Sequence, residues 1–169
     1  MKNMIPANSE INEGNITLRN ITVDDLDIFF SHLSDPDAIE MAAFTAEDPN
    51  DRNAFNSHWE RLMKNESIVK KTILFEGDVA GHIMRFEQFG NTEVTYWIGK
   101  EYWGKGIVTD ALKQFLSILD ERPLYARAAK DNLASIRVLE KCGFVLLAVE
   151  KGFAKARGRE IEEVVMKRE

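Results

Sequence analysis

Two glycines flank a lysine at Gly104-Lys105-Gly106, between residues typical of a strand and residues with the spacing of a helix. Glycine lets the backbone approach a ligand closely, and the first N–H groups of a helix have no partner within the helix. Because the helix dipole also favours an anion at this end, such a loop is suited to hold a phosphate group. Lys105 adds positive charge. We therefore predict a phosphate-binding site at residues 103–108.

Other phosphate ligands use similar loops, so the motif alone leaves the ligand open. Residues 99–105 fit the G-x-x-x-x-G-K part of a nucleoside triphosphate loop, but Gly106 stands where the magnesium-binding Ser or Thr is needed. A dinucleotide fingerprint would place a third glycine at Thr109, normally in a first strand–helix–strand unit. Here the loop follows a series of hairpin-like strands. The neighbouring motifs must therefore identify the ligand.

The composition is that of an ordinary globular protein, with 44% hydrophobic and 30% charged residues in a chain of 169. This length suits one domain, which we place at residues 16–169 after a loose lead-in over residues 1–15. The formal net charge of −6 argues against a nucleic-acid partner, which needs clustered Lys and Arg. No window approaches the roughly 18 apolar residues of a membrane helix, and no signal-peptide pattern begins the chain. We therefore expect a cytoplasmic protein without a membrane partner.

Cysteine and histidine offer little for redox or metal chemistry. Cys142 is the single cysteine, so an internal disulfide or a multi-cysteine zinc site is excluded. It lies at a predicted helix end, where a small buried residue is the ordinary requirement. His32, His58 and His82 lack metal-ligand spacing, so we expect no metal ion.

The apolar periodicity predicts the elements that position the loop. Alternation typical of strands occupies residues 16–19, 68–75, 79–86, 93–98, 124–128, 145–150 and 160–166. Helical spacing occupies residues 23–33, 55–63, 108–119 and 133–139. The helix ends carry their own signals: Thr22 with Asp25 resembles a capping box, Asp48-Pro49 resembles a helix start, Asn132 caps a helix and Gly143 ends it.

Three segments carry the most specific motifs: Tyr96-Trp97-Ile98, the run from Tyr102 to Ile107, and the run from Asn132 to Phe144 that contains Ser135 and Arg137. Together they resemble the GNAT superfamily of acetyltransferases, in particular its branch of ribosomal-protein alanine N-acetyltransferases. The resemblance spans about residues 16–166 and agrees with the order of the elements. It implies a GNAT-type α+β (mixed α/β) domain with a central, mixed, mostly antiparallel sheet of about seven strands flanked by helices. A V-shaped opening between the strands at 93–98 and 124–128 would hold the cofactor.

The resemblance also implies acetyl-CoA as the co-substrate, with pantetheine paired to the first of these strands and the pyrophosphate on the glycine loop. Asn132 would lie near the pantetheine, Ser135 near the sulfur and Arg137 near a phosphate. The implied cofactor-binding residues are Trp97, Ile98, Trp103, Gly104, Lys105, Gly106, Ile107, Val108, Thr109, Asn132, Ser135 and Arg137. Glu101 replaces a Gln or Arg that the superfamily often has, so phosphate binding would depend on the backbone and Lys105.

Amide formation from a thioester needs a neutral amine, a polarised carbonyl and a stabilised thiolate. By the same resemblance Glu93 is the candidate base, and a strand N–H near Ile98 would polarise the carbonyl. Glu87 and Asp110 are weaker candidates for the base. Leu139 stands where many members carry a tyrosine acid, so the catalytic donor to sulfur becomes Ser135. Each residue also has a purely structural interpretation: Glu93 as an exposed strand residue, and Ser135 as a helix serine bonded to a carbonyl.

The acceptor is the least determined part of the prediction. We expect a primary amine, first a protein or peptide alpha-amine. The alternatives are a small-molecule amine such as an aminoglycoside or polyamine, or a non-catalytic acyl-CoA-binding protein. The walls of the acceptor pocket would come from residues 34–50, 86–92 and 152–159, and the protein is expected to be a monomer or a homodimer.

Overall fold

One sheet of eight strands lies at the centre of the computed structural model, which describes residues 11–13, 15–45 and 48–169. The strands are β1 (Ile11–Glu13), β2 (Ile16–Asn20), β3 (Val69–Phe75), β4 (Asp78–Gln88), β5 (Asn91–Ile98), β6 (Leu124–Ala129), β7 (Val145–Ala154) and β8 (Arg159–Arg168). The helices are α1 (Asp25–Leu33), α2 (Pro36–Ala42), α3 (Arg52–Lys64), α4 (Ile107–Ile118) and α5 (Leu133–Lys141), with a 3-10 helix at Lys100–Tyr102. No helix of the described ranges is both long and apolar enough to cross a membrane.

The strand order β1-β2-β3-β4-β5-β6-β8-β7 confirms the mixed, mostly antiparallel sheet that the sequence predicts. Every neighbouring pair is antiparallel except β5 and β6. Beyond the expected seven strands, β1 pairs its Ile11 with Leu18 of β2. The lead-in predicted for residues 1–15 is therefore wrong at 11–13, because three residues held by backbone pairing are too few to show an apolar period. Residues 1–10 and 14 of that lead-in lie outside the described residues.

Two helix starts differ from the sequence prediction. The helix α3 begins after Asp51, whose Oδ1 accepts from the N–H of Ala54 at 3.0 Å, whereas Asp48 closes a preceding turn by accepting from Asn50. The prediction of a cap at Asp48-Pro49 is therefore wrong by three residues, since both aspartates can accept from a nearby N–H and only one precedes the helix. The seven residues of α2 were not predicted because they span too few turns to show a period.

Helices cover both faces of the sheet. Residues of α4, including Leu112 and Phe115, are fully buried against one face, and α5 packs on the same side through Leu139. Phe29 of α1 and Trp59 of α3 form a second cluster on the opposite face. Ile83 and Met84, successive residues of β4, contribute to the first and second cluster respectively, as strand alternation requires.

The two strands at the middle of the sheet pair over a very short distance. β5 and β6 share one register pair, Glu93 with Tyr125, whereas β6 pairs with β8 over its whole length. The strands therefore separate on the side that leads towards Ile98, which opens the sheet beside α4 and α5. This split is the structural origin of the cleft described next.

Candidate active site

A cleft of ≈ 720 Å³ occupies the split between β5 and β6. Its walls come from α2, the end of β4, residues 93–98 of β5, the first turn of α4, the end of β6 and one side of α5. Because the sheet is open here, side chains from both of its faces reach the same cleft.

The glycine loop enters this cleft at the start of α4. Gly104 and Gly106 have φ angles of +74° and +73°, in the left-handed region that residues with a Cβ rarely adopt. A Cβ built on either glycine meets no atom within 4 Å, so backbone conformation and not crowding explains the two glycines. Gly106 is the N-cap of α4 and, with Ile107, Val108 and Thr109, lines the cleft. The first turn of α4 therefore presents its N–H groups and positive dipole end to open space.

The cationic side chains at this end come from the glycine loop and from α5. The Lys105 ammonium lies 5.7 Å from the centre of the Phe75 ring and 5.9 Å from that of Tyr102, outside the cleft lining. Arg137 and Lys141 of α5 line the cleft instead. Lys141 was missed in the sequence, although its spacing of four from Arg137 places both on one helix face. The structure thus offers two α5 cations near the phosphate loop.

Both predicted tryptophans line the cleft. Trp103 donates from its indole Nε1 to the carbonyl of Ile98 at 3.3 Å, which ties the loop to the end of β5. Trp97, like Ile98, belongs to the cleft lining, and its indole Nε1 is buried. The position of the loop is therefore coupled to the strand edge that bounds the cleft.

Asn132 and Ser135 organise the start of α5. The Oδ1 of Asn132 accepts from the N–H of Ser135 at 3.2 Å, which confirms the predicted N-cap. Its amide nitrogen donates to the carbonyl of Met41 in α2 at 3.4 Å. Asn132 therefore connects the start of α5 to the end of α2.

The hydroxyl of Ser135 lies 2.6 Å from the phenol oxygen of Tyr96 on β5, and both residues line the cleft. Burial raises the pKa of Tyr96 to about 12, although its hydrogen bond with Ser135 acts in the other direction. The phenol is therefore neutral at physiological pH and keeps its proton. Sequence reasoning missed this partner; the available signal was that alternation turns Tyr96 away from Glu93, towards the helices of the opposite face.

Glu93 is buried, with 3% exposure, beside the guanidinium of Arg127 on β6. The Arg127 Nε lies 3.3 Å from Oε1 and 3.4 Å from Oε2 of this carboxylate. Burial raises the pKa of Glu93, Arg127 opposes that shift, and the charges of Glu163 and Glu150 add to it. Arg127 also binds Glu150 at 2.8 Å and Glu163 at 3.1 Å. The interpretation of Glu93 as an exposed strand residue is therefore wrong, because it sits in a cluster of three carboxylates around one cation.

The remaining candidates lie apart from this chemistry. Glu87 is half exposed and accepts from Arg85 and Thr92, each at 2.8 Å. Cys142 is buried, and burial raises the pKa of its thiol. His82 packs against Phe29 and Trp59, where burial lowers its pKa to about 3. Within the part of the chain that the structure describes, no three His, Cys, Asp or Glu side chains are grouped to hold a metal ion.

This arrangement joins a site for an anionic group, at the first turn of α4, to a hydroxyl pair and a buried carboxylate farther along one cleft. It can hold an extended ligand by its phosphate end and place the other end between a hydrogen-bond donor and a base.

Comparison with known proteins assigns this geometry to a family. The family model described as "Acetyltransferase (GNAT) domain" matches residues 15–145. The uncharacterized N-acetyltransferase p20 of Bacillus licheniformis is 24% identical over 158 residues, covering 87% of this chain and 88% of its own length. The provisionally named ribosomal N-acetyltransferase YdaF of Bacillus subtilis (strain 168) is 29% identical over 113 residues, covering 60% of this chain and 62% of its own.

The fold agrees with a crystal structure of the microcin C7 self immunity acetyltransferase MccE, solved in complex with acetyl-CoA and AMP. The TM-score is 0.78 at 19% identity, over 98% of this chain and 97% of that one. This likeness shows the shared fold, and the family model covers most of the chain, which confirms the resemblance found in the three motifs. The chain therefore belongs to the GNAT family of acetyltransferases.

Proposed function

We propose that this GNAT acetyltransferase transfers the acetyl group of acetyl-CoA to the alpha-amine of a protein or peptide by direct attack. The observation that carries the proposal is one continuous cleft. It begins at the left-handed glycines before α4, passes the Tyr96–Ser135 pair and reaches the buried carboxylate of Glu93.

The cofactor would lie along the split sheet. Its pyrophosphate would rest on the backbone from Gly104 to Thr109, where a helix N-terminus favours an anion. Arg137 and Lys141 would add charge for the phosphates, and the edge of β5 that the split exposes would pair with pantetheine. The glycine loop and residues 93–98 of β5 both border the cleft.

The reaction needs no covalent intermediate on the protein. The amine nitrogen attacks the thioester carbonyl carbon, a C–N bond forms, and the C–S bond breaks with its electron pair left on sulfur. Glu93, directly or through water, accepts the proton that the amine loses, and its raised pKa makes it a better base than an ordinary glutamate. Ser135 donates a hydrogen bond to the departing sulfur. Cys142 is not used as a nucleophile, because it is a buried thiol with a raised pKa.

The acceptor end combines apolar and acidic groups. Met41, Phe44 and Phe86 supply apolar surface, and Glu93 and Glu163 supply negative charge. This combination suits the first residue of a chain, which carries an ammonium beside an apolar or small side chain. It also suits a polycationic small molecule. The three carboxylates of Glu93, Glu150 and Glu163 share the single guanidinium of Arg127, so acidic groups outnumber the cation in this cluster. A polyamine or aminoglycoside is therefore the second candidate acceptor.

The test is thiol release from acetyl-CoA with a panel of N-terminal peptides, polyamines and aminoglycosides. We expect turnover with peptides, and a loss of about tenfold or more in kcat for Ser135→Ala and Glu93→Gln. Glu87→Gln is the matched control, since this half-exposed carboxylate lies outside the cleft lining. If only polyamines or aminoglycosides are acetylated, the acceptor is a polycationic small molecule and not a peptide alpha-amine. Tight CoA binding without turnover on any amine would make the protein a CoA-binding protein and not an enzyme.

A further inference from the structure

The Tyr96 phenol and the Ser135 hydroxyl form a close pair with two possible arrangements of their hydrogens. Their oxygens lie 2.6 Å apart, and the phenol also lies 3.3 Å from the backbone carbonyl of Ser135. If the phenol donates to the carbonyl, the serine hydrogen turns towards the phenol oxygen. If the phenol donates to Ser135 Oγ, the serine hydrogen is free to point into the cleft.

Distance favours the second arrangement. An O–H···O bond is best near 2.7 Å, so the contact to Oγ is the stronger use of the single phenol hydrogen. A hydroxyl that accepts a hydrogen bond also becomes a better donor, because the two bonds polarise each other. The neutral state of the phenol, whose pKa is about 12, keeps that hydrogen in place over the physiological range.

We propose that Tyr96 is a positioning residue, which donates to Ser135 Oγ and so directs the Ser135 hydrogen at the sulfur of bound CoA. This inference rests on the proposed function, since it assigns Ser135 the sulfur as its acceptor. Ser135 is the third residue of α5, where the positive end of the helix dipole also favours a thiolate.

The step is balanced without breaking either O–H bond. As the new C–N bond forms, the electron pair of the C–S bond remains on sulfur, and the amine proton leaves through the base or water. The thiolate accepts a hydrogen bond from Ser135, which accepts one from Tyr96. Tyr96 therefore acts on the sulfur through Ser135 and does not contact it.

The decisive measurement is the pKa of the thiol of CoA bound to the full chain, followed by the ultraviolet absorbance of the thiolate. We expect Tyr96→Phe to raise this pKa by about one unit and to lower kcat about tenfold, with the KM for acetyl-CoA changed less than about twofold. Ser135→Ala should have a similar effect. The kcat of the double variant should be no lower than that of the less active single variant, because one residue acts through the other.

Two controls separate this role from simple packing. Tyr125→Phe on β6 removes a phenol outside the cleft lining and should leave the thiol pKa and kcat unchanged. Desulfo-CoA, which lacks the sulfur, should bind the native chain and Tyr96→Phe equally.

Several outcomes would overturn the inference. An unchanged thiol pKa in Tyr96→Phe would remove the link to sulfur. Equal losses of affinity for CoA and desulfo-CoA would mean that Tyr96 only shapes the cleft, and multiplying effects in the double variant would show two independent donors. If Tyr96→Phe does not fold, a thiol pKa unchanged by Ser135→Ala overturns the inference on its own. The thiol titration needs no turnover, so failure of the proposed acyl transfer would be distinguished from failure of this role.

Discussion

Replacement of Arg127 by methionine removes the cation at the centre of the carboxylate cluster while keeping most of the apolar side-chain volume. The guanidinium lies 3.3 Å from Glu93 and is also bonded to Glu150 and Glu163. Breaking a buried pair by removing one partner costs about 3–5 kcal/mol, whereas an exposed pair contributes about 0–1 kcal/mol. Glu93 is buried and Glu150 is half exposed, and the cleft admits water. We therefore expect a loss of about 3 kcal/mol in the free energy of unfolding at pH 8, the lower end of that range.

The loss should depend on pH with a definite sign. The pKa of Glu93 is already raised by burial above its ordinary value of 4.5, and Arg127 opposes that shift. Removing Arg127 raises this pKa further, so the folded variant binds a proton at Glu93 that the unfolded chain has released. The contribution of Glu93 to the stability of the variant is then fully present below pH 4.5. It is lost as the pH rises through the pKa of Glu93 in the folded state. Arg127→Met should therefore be closer to the native protein in stability at pH 5 than at pH 8.

Urea denaturation of the native chain and Arg127→Met at the two pH values measures this difference. Arg127→Met combined with Glu93→Gln is the control, because the amide cannot ionise and should recover part of the loss at pH 8. An equal loss of stability at both pH values, or no recovery in the double variant, would refute the view that Arg127 holds a buried charge on Glu93.

Three further predictions follow from other parts of the molecule. Gly106→Val should cost about 1–2 kcal/mol of stability through its left-handed backbone but keep the fold by circular dichroism, and CoA should no longer raise its Tm; undiminished stabilisation by CoA would place the phosphate elsewhere. Asp25→Ala should destabilise by about 3 kcal/mol at pH 7, because burial acts to raise the pKa of Asp25 but hydrogen bonds from Arg19, Thr22 and Thr72 hold it below 3.8. That difference should shrink as the pH falls below 3.8 in denaturation curves, and a constant difference would contradict it. Phe115→Ala, at a fully buried position of α4, should cost about 3–5 kcal/mol in urea denaturation, and a loss under 1 kcal/mol would show that the core is not packed there.

Local chemistry explains which parts of the fold could be predicted. Gly106 precedes α4 and Asn132 caps α5 as expected, since each depends on atoms within three residues along the chain. Competing local signals explain the misplaced start of α3: the carboxylates of Asp48 and Asp51 each accept from a nearby backbone N–H, and only Asp51 directly precedes the helix. The direction of the Lys105 side chain was also beyond prediction. Its ammonium lies over the ring of Phe75, which belongs to β3 and is distant along the chain.

The sequence by itself determined the order of β2 to β8 with α1, α3, α4 and α5, the glycine loop before α4 and the membership of a family, because these reside in short motifs and in periodicity. Only the tertiary structure placed Ser135 against Tyr96, 39 residues away, and Arg127 against Glu93, 34 residues away. Both contacts depend on the parallel pairing of β5 with β6 and on its early end, which lets side chains from opposite faces of the sheet enter one cleft. Alternation along a strand shows which face a residue takes, but the split that joins the two faces depends on which strands become neighbours.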